Sequence, residues 1–244
     1  MHKPDLIIPF EINREQAAQL FLRRFSADKM APSEFAEAVH HNSFERRFIS
    51  AYLFDCNVIT SVSAECTKRH DDKINTYSSE RTVSTDFSEI LLNADNMADD
   101  FLLRMLEPYD LEKATTFSEN LLENADYGLS PRTADEIFET AKPELEKEAL
   151  KAAEKAFKNF TDRKTTGCTH SFADKSYRHL LLPVWVLDCN CYGQNCRIFL
   201  NGQTGRVVGI PPRSRKKAAA IIGTAAIVGA VAAQILWMAV TLLW

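Results

Sequence analysis

Residues 180–196 read LLLPVWVLDCNCYGQNC, an apolar run that ends in Asp188 and then places Cys189, Cys191 and Cys196 within eight positions. Two readings compete, a metal knuckle and a strand entering a hairpin. Structural zinc sites draw on paired CxxC knuckles, and C-x-C-x4-C departs from that spacing. An apolar run bounded by turn-forming residues is the pattern of a buried strand. The same order recurs at 48–57, FISAYLFDCN, where apolar residues lead to an aromatic, two more apolar residues and Asp-Cys-Asn. Tyr52 and Trp185 hold the aromatic position in the two stretches. Two related β units are therefore expected. The fold class that follows is α+β, with two antiparallel β units as an internal repeat, a helical insert, and one C-terminal transmembrane helix.

Working outward, residues 1–87 form the first α/β unit. LIIPF is a short strand, and Asn13 with Gln16 suits a capping box on the helix that follows. SEFAEAV after Pro32 reads as a second helix. FERRFISAYLFDCNVITSVSAECTKR alternates as a long strand, HDDK turns, and INTYSSERTVSTDF returns antiparallel. Residues 88–165 form an acidic helical segment, with Pro108 and Gly128 ending two helices and Thr133 with Glu136 capping a third. Pro143 is expected to kink or split that third helix. The segment's charge fits a solvated face, or a docking surface for a basic partner. Residues 166–212 form the second β unit. Asn201-Gly202 and Thr204-Gly205 mark a hairpin, since no helix follows these glycines to cradle a phosphate.

Residues 213–217 are a basic juxtamembrane segment, and 218–244 carry no formal charge. That length suffices to cross a bilayer core of roughly 30 Å. Arg213, Arg215, Lys216 and Lys217 are the expected membrane-surface residues, and they put the N-terminal domain on the cytoplasmic side of the cell inner membrane. Lipid is thus one expected partner. Small residues four apart (Ala219 and Gly223, Ala225 and Gly229) allow self-association of the anchor. The opening MHKPDLIIPFEINREQ has too short an apolar run for a signal peptide, so mostly reduced thiols are expected. Six cysteines in 244 residues exclude a disulfide-stapled module, and a net charge of −4 argues against a nucleic-acid partner.

An ordered set of motifs adds a resemblance. KPDLIIPFEI, the strand ending AYLFDC, LEPYD with TTF shortly after, and LLPVWVLDCN with LNGQTGRVVG together resemble a bacterial family of zinc-ribbon-containing membrane proteins. Such proteins carry the labels TFIIB-type zinc ribbon or primosomal-helicase-like. The likeness covers most of residues 3–211. Members begin with a CxxC…CxxC ribbon, whereas the first cysteine here is Cys56, so zinc binding does not transfer. The resemblance implies a membrane-scaffold protein as partner. It also places CYGQNC where members carry an aromatic on each side of a turn. A two-residue loop at Gly193-Gln194 would set Cys191 opposite Cys196 as packed thiols or as a redox disulfide.

Catalytic spacings are missing: the sequence has no GxxxxGK[ST], GxSxG or HExxH. Cys168 and His170 share one face of a strand, and with Cys189, Cys191 and Cys196 they make the one candidate zinc set. No enzyme and no cofactor are expected, with zinc the exception to test. The expected function is a membrane-anchored interaction or scaffold protein. A metal- or redox-responsive regulator using the C-terminal cysteines is the alternative, and a nucleic-acid-associated factor is disfavoured by charge.

Overall fold

The computed structural model describes residues 3–26, 44–70, 73–123, 125–128, 132–160, 162–191 and 194–209. The elements in order are β1 (Leu6–Ile7), α1 (Arg14–Ser26), β2 (Phe44–His70), β3 (Lys73–Asn93), α2 (Asp100–Leu106), β4 (Thr115–Thr116), β5 (Asp126–Tyr127), α3 (Ala134–Glu154), β6 (Asp162–Cys191), β7 (Gln194–Asn201) and β8 (Val207–Val208). They fall into two compact units that interleave along the chain. The first comprises Met1–Pro9, Phe48–Arg104 and Asp110–Leu182; the second comprises Phe10–Arg47, Met105–Tyr109 and Pro183–Trp244.

In the first unit the strand order is β3-β2-β6-β1-β4, with β5 also paired to β2. The β2–β3 ladder is antiparallel from Ala51↔Asn93 to His70↔Lys73, as the alternation at 44–87 predicts. On β2 the even-numbered residues Phe54, Cys56, Val58, Thr60, Val62, Ala64 and Cys66 are buried. Their odd-numbered neighbours point to the opposite face, because strand side chains alternate. α3 lies on the buried face, packing Ile137, Phe138, Leu145 and Ala149 against Phe54, Cys56 and Val58. Further along, Ala153 packs with Val62, Ala64 and Cys66. Removing an aromatic as buried as Phe138 (1% exposed) from water contributes about 1.5–3 kcal/mol. The helix runs through Pro143 without splitting. Thr133 and Glu136 form its predicted capping box, at 3.3 Å (Glu136 N to Thr133 Oγ1) and 2.7 Å (Thr133 N to Glu136 Oε2).

Two antiparallel β units do not describe this fold. β1 pairs antiparallel with β4 but parallel with β6, Leu6↔Leu180 and Ile7↔Leu181, so the sheet is mixed. The edge that accepts β1 is set by burial: Ile7, Leu180 and Leu181 are all fully buried. The two echoing stretches also lie in different ladders. Residues 48–57 sit in a ladder whose register shifts between Phe54 and Cys56. Opposite that shift Glu89 takes φ 56°, and its N–H donates to Asp55 Oδ1 at 2.9 Å. Residues 184–191 pair with β7 in unbroken register. A shared letter pattern thus serves one bulged and one regular strand.

In the second unit the end of β6 pairs with β7, and β7 with β8. Trp185, Leu187, Ile198 and Leu200 pack against Ala17, Phe21 and Phe25 of α1. Asn13 and Gln16 cap α1 reciprocally at 2.9 Å each, as the sequence predicts. Trp185 Nε1 donates to the Ile12 carbonyl at 2.8 Å, and Phe10 meets its ring edge-on at 5.5 Å.

The helix expected after Pro32 lies outside the described residues, and so do 213–217 and the anchor expected at 218–244. No helix among the described residues is long and apolar enough to cross a membrane. The single-pass inner-membrane assignment is therefore not sustained, and the description that replaces it is a mixed β-sheet with helices packed on it.

Candidate functional site

The site begins at a buried carboxylate. Asp95, 4% exposed, sits in the turn after β3. Its Oδ1 accepts from the N–H groups of Met97 (2.6 Å) and Ala98 (3.3 Å), and its Oδ2 accepts from Ser50 N–H (3.3 Å). Asn93, also buried, accepts from Asp95 N–H at 3.0 Å and donates to the Ala98 carbonyl at 2.5 Å. Burying a charge is costly unless donors surround it; this turn supplies two, and Ser50 of β2 supplies the third. The turn delivers Asp99, whose Oδ1 accepts from Leu102 N–H at 2.7 Å and so starts α2.

α2 buries Leu103 (2% exposed) and turns Asp100 and Arg104 toward α3. Between α2, α3 and the end of β3 lies a groove. Its floor is apolar, with Leu91, Leu92, Leu103 and Ile137; its rim carries Asp100, Arg104 and Glu144. Arg104 Nη2 and Glu144 Oε2 are 2.7 Å apart, with side chains 63% and 59% exposed. Such an exposed pair contributes about 0–1 kcal/mol. Thr140 also lines the groove, but its hydroxyl donates to the Ile137 carbonyl of its own helix at 2.6 Å. Phe101 stands three residues before Arg104, hence beside it on the helix surface. At 71% it is the most exposed large hydrophobic side chain among the described residues, and Met97, 37% exposed, precedes it by four positions. The groove thus combines apolar side chains with a charged rim, and an exposed ring lies on the helix that forms one wall.

The residues singled out in the sequence fall elsewhere. Cys168 and His170 do meet, with Sγ 3.3 Å from Nε2. His170 Nδ1 lies 3.0 Å from Thr60 Oγ1, and Thr60 is fully buried. The line Thr60–His170–Cys168 has the outline of an oriented base beside a nucleophile. Its electrostatics oppose that use: burial, then the carboxylates of Glu146 and Glu154, push the Cys168 thiol above its ordinary value, so the thiolate is disfavoured.

Cys189 and Cys191 lie at the end of β6, and their side chains are outside the described residues. Cys196 on β7 is disulfide-bonded. The hairpin register sets Asn190 opposite Asn195, Cys191 opposite Gln194 and Cys189 opposite Cys196. The loop therefore falls one residue earlier than the Gly193-Gln194 expectation, and Cys191 does not face Cys196. Beside the cysteines, Asp188 and Arg197 form a cross-strand ion pair with contacts of 2.6 and 2.7 Å. That hydrogen bond raises the already high Arg197 pKa further. Among the described residues no group of three or more His, Cys, Asp or Glu is placed to hold a metal ion. Arg213, Arg215, Lys216 and Lys217 lie outside them.

Comparison with known proteins adds one relative. A protein of Bacillus subtilis (strain 168), described as Uncharacterized protein YdjG, is 30% identical over 226 residues, covering 89% of this chain. The match takes in 66% of that protein, so this chain spans a little under two thirds of its relative's length. No protein-family model matches the chain, and no solved structure does. The zinc-ribbon description accordingly gains no support from a family model or from the donor groups of the described residues.

The groove residues Asp100, Arg104 and Glu144, and the neighbouring Phe101, were not singled out from sequence. One signal was legible: DFLLRML is apolar around most of its circumference, and a helix packed on one side must leave part of that exposed.

Proposed function

We propose that this chain is a protein-interaction module that binds a partner protein through the α2–α3 groove. The observation that supports the reading is Phe101, 71% exposed on the helix that forms one wall of a groove floored by Leu91, Leu92, Leu103 and Ile137. A single exposed apolar side chain is ordinary on a protein surface. An aromatic beside a desolvatable groove is the arrangement from which interfaces draw most of their energy. A photo-crosslinking amino acid placed at position 101, in cells that make the full chain, tests this against the same group at position 78 on β3. A discrete protein adduct at 101 and not at 78 is the expected result. Equal or absent labelling at the two positions refutes it.

A thiol-based regulator is the second reading, favoured by the disulfide at Cys196. It predicts that binding to the crosslinked partner changes when the full chain is reduced.

A further inference from the structure

We infer that the end of the β6–β7 hairpin is a redox-sensitive clip, in which a Cys189–Cys196 disulfide closes the open end of the α1 core and Cys191 remains a thiol. The inference rests on the thiol-regulator reading above and names its bond. Cys196 is disulfide-bonded while Cys56, Cys66 and Cys168 are free, so its partner is Cys189 or Cys191. The register decides between them. Cys189 stands directly opposite Cys196, whereas Cys191 stands opposite Gln194, one diagonal step away. Directly opposed strand residues have Cα atoms about 4.5–5.5 Å apart, within the span of a disulfide, and a diagonal pair at roughly 7–8 Å lies beyond it. The bond also continues a buried face. Trp185 opposite Leu200 and Leu187 opposite Ile198 are the preceding rungs on that face, and all four residues are buried in one cluster with Phe21 and Phe25 of α1. Cys196 comes next and packs, half-buried, against the same cluster. The rungs toward the loop bring Asn190 to Asn195 and Cys191 to Gln194, and so add no apolar pair. On the other face the Asp188–Arg197 ion pair is about half exposed and weakly held. A dithiol opens the clip by two exchanges. One of its thiolates attacks a sulfur of the bond, forming a mixed disulfide and releasing the first cysteine; its second thiol then displaces the other. Two electrons and two protons pass to the protein, leaving Cys189 and Cys196 as thiols and the reductant as its own disulfide. The hairpin end, left with its backbone ladder and an exposed ion pair, then frays back to the Leu187–Ile198 rung.

Non-reducing peptide mapping of the full chain, alkylated before digestion, tests the pairing. A link between Cys189 and Cys196, with alkyl groups on Cys56, Cys66, Cys168 and Cys191, is the expected result. A link between Cys191 and Cys196, or alkylation of all six cysteines, overturns the inference. Hydrogen exchange with and without dithiothreitol tests the opening. Reduction should speed exchange roughly tenfold over residues 188–197 and leave the amides of Trp185, Leu187 and Leu200 unchanged. Cys189→Ser should exchange fast with or without the reductant, and Cys191→Ser should respond to it as the wild type does. A response that survives in Cys189→Ser or vanishes in Cys191→Ser overturns the clip, as does equal exchange in the two states of the wild type. Crosslinking at position 101 in both states separates the clip from the regulator reading. If the bond maps and opens as stated while the adduct is the same in both states, the clip stands and the regulator reading falls. If the adduct depends on reduction while the bond maps to Cys191, the regulator reading stands and the clip falls.

Discussion

Replacing Asp95 tests whether the groove depends on the turn that presents it. In Asp95→Ala three backbone N–H groups lose their acceptor, those of Met97 at 2.6 Å, Ala98 at 3.3 Å and Ser50 at 3.3 Å. The short bond from Met97 to a charged oxygen is the strong one, about 1.5–3 kcal/mol, and the two longer ones add about 1 kcal/mol each. The expected loss is therefore roughly 3–5 kcal/mol, or on the order of 10 °C in the midpoint for a chain of this size. Asp95→Asn separates hydrogen bonding from packing. Its amide oxygen still accepts from Met97 and Ala98, while its NH2 turns a donor toward the Ser50 N–H. The asparagine variant should consequently lose about half as much as the alanine variant. Denaturant unfolding with hydrogen exchange at Met97 and Ala98 reads both effects. Those two amides should lose protection in the alanine variant and keep most of it in the asparagine variant. Alanine within ~1 kcal/mol of the wild type would refute the reasoning, because the buried carboxylate would then contribute no more than a surface group. Equal losses for the two variants would refute it too, by assigning the effect to volume.

Three more predictions are independent of the groove. A Cβ added at Gly202 would lie 2.6 Å from the Phe10 ring and 2.9 Å from Pro183 Cβ, so Gly202→Ala should cost about 1–3 kcal/mol in thermal unfolding; an unchanged midpoint would contradict the packing around Trp185. Cys168 should alkylate more slowly near pH 8 than a free thiol, and Glu146→Gln should speed it, because burial above all, and then the two carboxylates, disfavour the thiolate. The sign follows from linkage: a raised pKa contributes stability that is complete below the unfolded-state value and is lost as pH rises through the folded one, so the effect appears only in the alkaline range. Alkylation faster than that of a free thiol would refute it. Asp188→Asn should reduce stability by no more than about 1 kcal/mol, since the Arg197 partner is half exposed; a loss above ~2 kcal/mol in denaturant unfolding would show that the pair is more desolvated than its geometry indicates.

What was legible in the sequence was local. The reciprocal caps Asn13–Gln16 and Thr133–Glu136 depend on residues three apart, and both form. The β2–β3 hairpin follows from alternation across an obvious turn. β1 was harder, because a two-residue strand has no period to read. Its placement depends on partners such as Leu180 and Leu181, far along the chain, and its parallel pairing is what makes the sheet mixed. The C-terminal cysteines show how small the margin is: shifting the loop by one residue exchanges Cys191 for Cys189 as the residue facing Cys196. The groove was illegible for a different reason. It needs α2, α3 and the end of β3 together, and no one of these segments carries its pattern alone.

The most distinctive motif, NGQTG, shows why a memorable stretch need not be a site. Asn201 is fully buried and its carboxamide is saturated. The NH2 donates to the carbonyls of Leu106 (2.9 Å) and Pro108 (3.2 Å), while Oδ1 accepts from the N–H groups of Gln203 and Thr204 at 2.9 Å each. Gly202 donates to the Pro183 carbonyl, and its own carbonyl accepts from Glu11 and Ile12. Gly205 sits at φ 77°, where a side chain is strained, and its N–H returns to the Asn201 carbonyl. The polar groups of Asn201 and Gly202 are thus used to tie β7 to LEPYD and to the segment before α1. Such a stretch is constrained at each position by geometry, which is why it reads as a motif. MADDFLLRM is held by Asp95 and Asn93 at its start, by buried Leu103 and by the Arg104–Glu144 pair. It nevertheless leaves Phe101 71% exposed, and that exposure is what the proposed interaction would use.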